Sequence, residues 1–425
     1  MAQELGRYTA VDLAEVGHPV PAGGALDPAC GDGVFLDVAA RWGWGPTHGV
    51  DLDDSVLRGP RGAQLRAGDG LTDDGVRFGI VLGNPPFTLG REFARRFVEA
   101  AAVGGVVALL LPETFFSSSR DAAARDVLLR QARCVSITSV YGRDFLRTGT
   151  RARTCWSVWI RRAAPLPRGS LADDPPVLLR QPRDQEDHEL AATQGSLSFV
   201  VRVPLHRLLE TRRWDPRFHD PRWEDPLDRC VLPVQPLGDF IDDLVYGALG
   251  RGVRPTLQEG SGGWLYVGQA TITERGVDLD RCPRIADARP FVQDRYRLRP
   301  GDLVIPRSGM GTLGKNLLCR WDGLPAGHPG EGAVVDCFND RLSLRGISSA
   351  WVLGVLRSEA GWAQIRRVIG GVATPNLSFA QLRALRLPVP SAAVQEEAER
   401  RWQGIRRGER PFDDLRALVR EALGG

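Results

Sequence analysis

Apolar residues follow two alternating patterns between Ala25 and Arg161. Short apolar runs bounded by glycine, proline or aspartate are typical of buried strands, and the segments between them carry apolar residues at helical spacing. Strands are predicted at Ala25–Asp27, His48–Asp51, Ile80–Leu82, Gly105–Leu111, Val135–Val140 and Thr154–Ile160, and helices at Val34–Arg41, Glu92–Ala102 and Arg120–Ala132. This alternation predicts an α/β fold with one mainly parallel, doubly wound sheet and helices on both faces.

The segments flanking this alternation predict less regular structure. Leu5–Ala10 reads as a polar lead-in, and Arg161–His188, rich in proline, arginine and aspartate, reads as a surface connection. Ser196–Arg213 is expected to return to order. Residues 214–232 are broken by prolines and predict a linker.

After Pro233 the chain changes to short β-like runs with many glycines and few long helices. This pattern predicts a second domain of α+β type. The expected organisation is therefore a first domain at 1–213, a linker at 214–232 and a second domain at 233–425.

Composition narrows the function classes only slightly. The chain has 425 residues, of which 43% are hydrophobic and 25% charged, as in ordinary globular proteins. The net charge of +3 is too small to argue for a nucleic-acid partner by itself. Lys315 is the sole lysine, so nearly all positive charge is arginine, which we attribute first to GC-rich coding and second to phosphate and base contacts.

The cysteines and histidines predict neither a metal site nor a disulfide framework. None of the 7 cysteines forms a C-x-x-C pair, and the 6 histidines are scattered. The longest apolar run, Val106–Leu111, is far too short to cross a membrane, and the first residues do not resemble a signal peptide. A cytoplasmic protein without a membrane partner is the expectation.

The stretch that carries the clearest chemistry is Ile80–Phe87. An apolar strand runs directly into Asn84-Pro85-Pro86-Phe87, and two consecutive prolines continue neither a strand nor a helix. An amide side chain, a rigid carbonyl and an aromatic ring are thereby held at the end of a strand, where open α/β sheets bind ligands. We interpret this corner as the place where a planar amino group is held and reacts.

A second candidate site is the glycine-bearing turn between the first strand and the first helix, Pro28–Gly33. Its glycines allow close approach of a ligand, and the helix N-terminus offers N–H donors to an anionic group. Asp51 follows about 20 positions later, as suits a ribose diol, although a solvated acid at a strand end is the alternative. Asp69 could accept a hydrogen bond from the amine of an adenosyl group, or Ala67–Leu71 could be only a turn.

These motifs together resemble the S-adenosylmethionine-dependent DNA amino-methyltransferases in which the catalytic domain precedes the target-recognition domain. The resemblance is carried by LDPACGDG at Leu26–Gly33, GVDLD at Gly49–Asp53, GDGL at Gly68–Leu71 and NPPF at Asn84–Phe87, in that order, with LGRYTA at Leu5–Ala10 as the N-terminal cofactor segment. It implies a Rossmann-like doubly wound methyltransferase sheet. Two departures are Phe87, where the family commonly has tyrosine, and the lack of an aromatic after Asp69.

The resemblance also implies a cofactor and a mechanism. S-adenosylmethionine would be held by Thr9, Asp27, Ala29, Cys30, Gly31, Gly33, Asp51, Asp69 and Leu71. The side-chain oxygen of Asn84 and the carbonyl of Pro85 would accept hydrogen bonds from the exocyclic N6 of an adenine flipped out of duplex DNA. Phe87 would stack on that base, together with Phe145 or, as the alternative, Tyr141.

The second domain resembles the target-recognition domains of restriction–modification specificity subunits. The matching stretches are Leu237–Gly247, Leu298–Gly314, Val368–Leu382 and Leu387–Gln395. The resemblance implies double-stranded DNA as partner and leaves room for a separate restriction endonuclease. Candidate DNA contacts in its glycine-rich loops are Arg251, Arg254, Arg307 and Lys315.

Two alternatives stay open at this point. An NPP-aromatic motif also occurs in enzymes that methylate cytosine N4, RNA or protein glutamine. The chain could also be a DNA specificity module without catalytic activity, although Asn84, Asp51 and the glycine turn argue against it.

Overall fold

A computed structural model describes residues 1–141, 153–167, 170–182, 198–221, 226–247, 256–258, 262–285, 294–307, 316–369 and 376–424. The chain divides into two compact units, the first formed by Met1–Pro221 and the second by most of Arg222–Gly425. Phe145, Arg251, Arg254 and Lys315 lie outside the described residues.

The first unit is built on one large mixed sheet. Its described strands are β1 (Ala25–Asp27), β2 (Thr47–Asp51), β3 (Gln64–Ala67), β4 (Phe78–Gly83), β5 (Ala101–Pro112), β6 (Ala132–Tyr141), β7 (Arg153–Arg161), β8 (Val177–Gln181) and β9 (Phe199–Val203), in the order β3-β2-β1-β4-β5-β7-β6-β8-β9. The five strands from β3 to β5 are parallel, whereas β7 is antiparallel to both neighbours and β9 to β8.

The described helices of this unit lie between these strands in sequence, except that the first precedes β1 and the last follows β9. They are α1 (Ala2–Glu15), α2 (Val34–Arg41), α3 (Gly90–Ala100), α4 (Glu113–Ser117), α5 (Ala122–Gln131) and α6 (Leu205–Thr211). The predicted β1 and α2 have the observed bounds, whereas α3 ends earlier than predicted because Ala101 and Ala102 already belong to β5.

The interpretation of Leu5–Ala10 as a polar lead-in is wrong, because the segment lies within helix α1. Leu5, Tyr8 and Leu13 are buried on one face of that helix together with the polar Thr9 and Asp12. The Asp12 carboxylate pairs with Arg180 of β8 at 2.6 Å and accepts a hydrogen bond from Ser136 of β6 at 2.6 Å. These two polar contacts tie α1 to the sheet.

The interpretation of Arg161–His188 as a surface connection is also wrong in part. Val177–Gln181 forms β8, which is buried along its whole length and pairs with both β6 and β9. The strand at Arg153–Arg161 is therefore followed by two more strands of the same sheet.

Part of the predicted linker, 214–221, packs into the first unit. The Trp214 ring is buried and stacks on Trp159 with ring centroids 6.3 Å apart, and its backbone N–H donates to the Phe116 carbonyl at 2.9 Å. Arg213 and Asp215 form a buried bidentate ion pair at 2.7 and 2.8 Å. A linker at this position does not fit such packing, because these buried groups depend on the first unit.

The second unit combines small sheets with helices. Its longer strands are β11 (Ile241–Tyr246), β13 (Gly263–Val267), β17 (Leu303–Pro306), β19 (Gly330–Val335) and β20 (Asn339–Leu344), with the shorter β10 (Val234–Pro236), β12 (Leu257–Gln258), β14 (Ile272–Thr273), β15 (Gly276–Val277), β16 (Arg284–Ile285), β18 (Cys319–Arg320) and β21 (Arg386–Pro388). Two of its sheets have four strands each, in the orders β11-β20-β17-β18 and β12-β16-β13-β19.

The helices of the second unit are α7 (Ser349–Arg357), α8 (Glu359–Val368), α9 (Phe379–Arg383), α10 (Ala392–Arg406) and α11 (Asp413–Leu423). Trp351 and Trp402 are fully buried between them and the first of these sheets. Within the described part of the chain, no helix is long and apolar enough to cross a membrane.

Candidate functional site

The carboxyl ends of three adjacent strands bring the predicted motifs to one edge of the first sheet. Strand β1 lies between β2 and β4 and runs parallel to both, with Asp27 opposite Gly49 and Leu26 opposite Val81. The residues that end or follow these strands must therefore lie side by side. Asp27, Asp51 and Asn84 are such residues.

The glycine turn and the acid at the end of β2 are in direct contact. The Gly31 N–H donates to Asp51 Oδ2 at 2.8 Å, and the Asp53 N–H donates to Asp51 Oδ1 at 3.1 Å. Gly31 has a φ of +50°, a left-handed conformation, and a Cβ added there would meet nothing within 4 Å. The turn therefore presents backbone to open space beside a carboxylate that keeps acceptor capacity for hydroxyl groups.

Cys30 and Gly33 lie at the inner side of this turn. Burial is the main cause that raises the pKa of the Cys30 thiol to about 12, with Asp27 and Asp51 adding to the effect, so the thiol stays protonated at neutral pH. Gly33 is buried, and a Cβ there would lie 2.0 Å from the Arg58 carbonyl oxygen. The neighbouring backbone at Arg58 therefore requires glycine at this position, whether or not a ligand binds.

Asp27 is buried at the centre of the site. Its Oδ1 accepts a hydrogen bond from the Ala29 N–H at 3.0 Å, and a Cβ added to Gly83 would lie 2.4 Å from the same oxygen. Burial raises the pKa of this carboxyl to about 7; the Ala29 hydrogen bond opposes that shift and the charge of Asp51 adds to it. The carboxyl of Asp27 therefore lies against the backbone that leads into Asn84.

The GDGL turn packs onto the glycine turn. A Cβ at Gly70 would lie 1.6 Å from the Pro28 carbonyl oxygen, so glycine alone permits this contact. Asp69 is exposed, with Oδ1 accepting the Leu71 N–H at 2.9 Å, and Leu71 packs partly buried against the core. The buried Arg96 of α3 donates to the Gly70 carbonyl at 3.2 Å and to Asp73 at 3.1 Å. These two hydrogen bonds hold the GDGL turn, and no motif in the sequence predicts them.

The NPPF corner follows β4 directly. Asn84 Oδ1 is buried and has no hydrogen-bond partner among the described residues. Pro85 is buried, and the half-buried Phe87 begins a 3₁₀ turn at Phe87–Leu89. A buried carbonyl oxygen without a donor costs free energy, which an amino group brought to the site would recover.

No family model matches this chain, and no curated protein matches it. Among solved structures, the type IIG restriction endonuclease BpuSI is 11% identical over 95% of this chain and 60% of its own, with a TM-score of 0.41. A type I restriction–modification methyltransferase subunit from Streptococcus thermophilus is 15% identical over 51% and 57%, with a TM-score of 0.37. A protein from Listeria monocytogenes that is assigned to the class I S-adenosylmethionine-dependent methyltransferases is 19% identical over 44% and 67%, with a TM-score of 0.33.

The matched part of this chain thus covers 57% to 67% of the length of those three proteins.

Thr9 does not fit the cofactor role that the resemblance gave it. It is fully buried in α1, where its hydroxyl donates to the Leu5 carbonyl at 2.9 Å and accepts from the Trp156 indole N–H at 2.9 Å. Both functions of the hydroxyl are used within the protein, so Thr9 holds α1 against β7 and is no cofactor contact.

Of the predicted DNA contacts, Arg307 lies among the described residues. Its guanidinium stacks on Tyr246 in the second unit, 4.3 Å from the ring centroid. Tyr141, the alternative to Phe145, is the last residue of β6. Across the described ranges, no group of three or more His, Cys, Asp or Glu is placed to hold a metal ion.

We expect the Asp27→Asn substitution to stabilise the first unit at pH 8. The native carboxyl releases its proton at about pH 7 against an ordinary value of 3.8, so the folded state binds more protons in that window and stability falls as pH rises through it. Asparagine keeps the acceptor for Ala29 and removes the buried charge, a gain on the order of 4 kcal/mol. Urea unfolding between pH 4 and 8 measures this, and parallel pH profiles of variant and wild type would contradict it.

Proposed function

We propose that this chain is a site-specific DNA methyltransferase that uses S-adenosylmethionine and modifies the exocyclic N6 of adenine, in a restriction–modification or related system. The observation that carries the proposal is the buried Asn84 Oδ1, which has no hydrogen-bond partner in the part of the chain that the structure describes, beside the contacts of Asp27, Gly31 and Asp51. One edge of a Rossmann-like sheet would then hold two features. Asn84 offers an acceptor for an amino group, and Asp27, Gly31 and Asp51 form a cradle, by which we mean a binding site for an adenosyl ligand.

The residues of the edge fit the cofactor in chemistry. The carboxylate of Asp51 would hold the ribose hydroxyls, and the backbone at Ala29 and Gly31 would surround the methionine part. Leu71 would pack against the adenine, and Asp69 would accept from its amine. The cofactor, when bound, supplies an electrophilic methyl group on a sulfonium.

The protein's own contribution is to hold the amine. The lone pair of an exocyclic amine is delocalised into the ring, so the amine is a poor nucleophile. Two acceptors opposite its hydrogens, Asn84 Oδ1 and the Pro85 carbonyl, favour a more tetrahedral nitrogen and stabilise the positive charge that develops on it. The Pro85-Pro86 backbone holds both acceptors in place before the reaction, and Phe87 would stack on the base.

An amine of a paired base is not reachable inside a duplex, so the target base would be flipped out. We propose that the second unit reads the DNA sequence, in the manner of a target-recognition domain. A restriction endonuclease on another chain would be its partner in such a system.

The proposal is tested by incubating the full chain with methyl-labelled cofactor and duplex DNA, RNA or a glutamine-containing peptide. Label should enter duplex DNA, and nucleoside analysis should find N6-methyladenine. Label in N4-methylcytosine would overturn the choice of base, and label in RNA or peptide alone would overturn the choice of substrate. No transfer with cofactor bound and DNA bound would favour a non-catalytic specificity module.

A further inference from the structure

Three neighbouring strands of the second unit place an acid and an aromatic on one face of their sheet. In β11, β20 and β17, Tyr246 lies opposite Asp340, and Asp340 lies opposite Ile305. Directly opposite residues point to the same side of a sheet, and Arg307 follows Ile305 by two positions, which also puts it on that side. Tyr246, Asp340 and Arg307 are therefore neighbours although they are far apart in sequence.

Arg307 lies on a column of aromatic rings. Its guanidinium covers the Tyr246 ring, and Tyr246 stacks in turn on Phe379 of α9, with ring centroids 4.1 Å apart. The backbone of Arg307 is fixed as well, because its N–H donates to the Phe338 carbonyl at 2.9 Å and its carbonyl accepts from Leu377 at 3.0 Å. Tyr246 is 48% exposed, so the column reaches the surface.

Within the described ranges, the guanidinium of Arg307 has no polar partner. Among the described residues its N–H groups donate to no acceptor, and no carboxylate forms an ion pair with it. An arginine that stacks by its face keeps its edge donors for a planar, bidentate acceptor. The phosphate group and the O6/N7 edge of guanine both offer such an acceptor.

Asp340 lies on the strand next to β17 and faces the same side of the sheet as this arginine. The residue is 2% exposed, and its Oδ1 is buried without a hydrogen-bond partner in the described part of the chain. Burial raises the pKa of its carboxyl to about 7, and Arg307 is the charged group that opposes the shift. From β11 the residue opposite Asp340 on this face is Tyr246, whereas Arg341, next along β20, faces the other way and pairs with Asp243 and Asp302.

The charge of the adjoining sequence favours an anionic partner. Segments 248–255 and 308–315, which continue the chain just after Gly247 and Arg307, contain Arg251, Arg254 and Lys315 and no acidic residue. A cation whose edge donors suit a bidentate acceptor, beside segments that carry positive charge alone, matches the polyanionic backbone of nucleic acid.

We propose that Arg307, seated on the Tyr246–Phe379 column, is a DNA contact, and that Asp340 is a positioning residue that weakens this contact when it is ionised. The inference rests on the proposed function, since it specifies how the second unit meets DNA. Arg307 binds an acceptor pair of the DNA, on phosphate or on guanine. When Asp340 carries charge it holds the guanidinium and offsets its attraction for the polyanion.

The test measures binding of the full chain to a fluorescent duplex DNA of random sequence at several salt concentrations, near pH 6 and near pH 8. Arg307→Gln should weaken binding about fivefold, and, if the contact is to phosphate, should also lower the salt slope by about 0.9. Asp340→Asn should strengthen binding about threefold near pH 8 and leave it unchanged near pH 6, because the carboxyl is already protonated there. In the Arg307→Gln background, Asp340→Asn should have no effect.

Arg297→Gln is the matched control. Arg297 also stacks on an aromatic ring of the second unit, 5.0 Å above Trp264, but it is paired with Asp294 at 3.0 Å. The Arg297→Gln substitution removes a positive charge that Asp294 already neutralises, so DNA binding should stay at the wild-type level. Arg307→Lys, which keeps the charge and loses the planar stack, should fall between wild type and Arg307→Gln.

Two further readouts separate the possible results. A guanine contact would relax selection at one position among DNA sites enriched by binding, and a phosphate contact would weaken all sites alike; either result supports the inference. Unchanged affinity in Arg307→Gln, or an equal effect of Asp340→Asn in both backgrounds, would overturn it. Methyl transfer by the wild type is scored separately, so failure of the proposed function stays distinguishable.

Discussion

Replacing Asn84 by alanine should leave cofactor binding within about twofold of wild type and lower methyl transfer to DNA by at least about a hundredfold. The buried Oδ1 has no partner within the described residues, so its removal costs little stability in the resting protein. It would act only on the amine of the target base as charge develops, and loss of one preorganised electrostatic contact typically costs a hundredfold or more.

Calorimetric titration with S-adenosylmethionine and single-turnover transfer to duplex DNA measure the two quantities separately. Thr88→Ala is the control, since Thr88 is exposed in the same corner and its side chain makes no hydrogen bond within the described residues. Near-wild-type transfer by Asn84→Ala would remove Asn84 from the proposed catalytic residues. Loss of cofactor binding would instead show that Asn84 supports the cradle.

The second large effect is expected from Gly83→Ala, a change of one methyl group. The added Cβ would lie 2.4 Å from Asp27 Oδ1 and 2.7 Å from its Cγ, and the Asp27 side chain is buried and held by the Ala29 N–H. Either β4 or the glycine turn must shift. We expect a loss of about 2 kcal/mol or more in stability and at least about tenfold in cofactor affinity.

Chemical unfolding and cofactor titration test this expectation. Gly90→Ala is the matched control in the same unit, because its Cβ would meet only the end of the Leu111 side chain at 3.3 Å and Gly90 begins a helix that alanine favours. Adding Asp27→Asn to Gly83→Ala should not restore cofactor affinity, because asparagine has the same shape and the steric clash remains. A Gly83→Ala protein with unchanged cofactor affinity would show that Asp27 is not coupled to the cradle.

The elements that position the candidate site could be predicted from sequence because their signals are local. The apolar run of β4 ends at two prolines, and the turn between β1 and α2 carries its own glycines. Asp51 ends β2 at the spacing that places it against Gly31, as the hydrogen bond between them shows. Each of these features needs only a few consecutive residues to be recognised.

What could not be predicted depends on partners that are distant in the chain. The buried Thr9 and Asp12 make helix α1 look polar, and the groups that satisfy them, Trp156 and Arg180, come much later. The sequence around Trp214 predicts a linker, because nothing near it in the chain shows that its ring stacks on Trp159 of an earlier strand. The column of Arg307, Tyr246 and Phe379 joins three remote segments, so no sequence window contains it.

The anchoring of helix α1 has a practical consequence for anyone seeking a smaller version of the protein. Deleting the first 15 residues would strip the Trp156 indole of its acceptor and leave Arg180 without its carboxylate inside the fold. An isolated buried cation is among the most destabilising defects a protein can carry. A shortened version of the protein should therefore keep helix α1 intact.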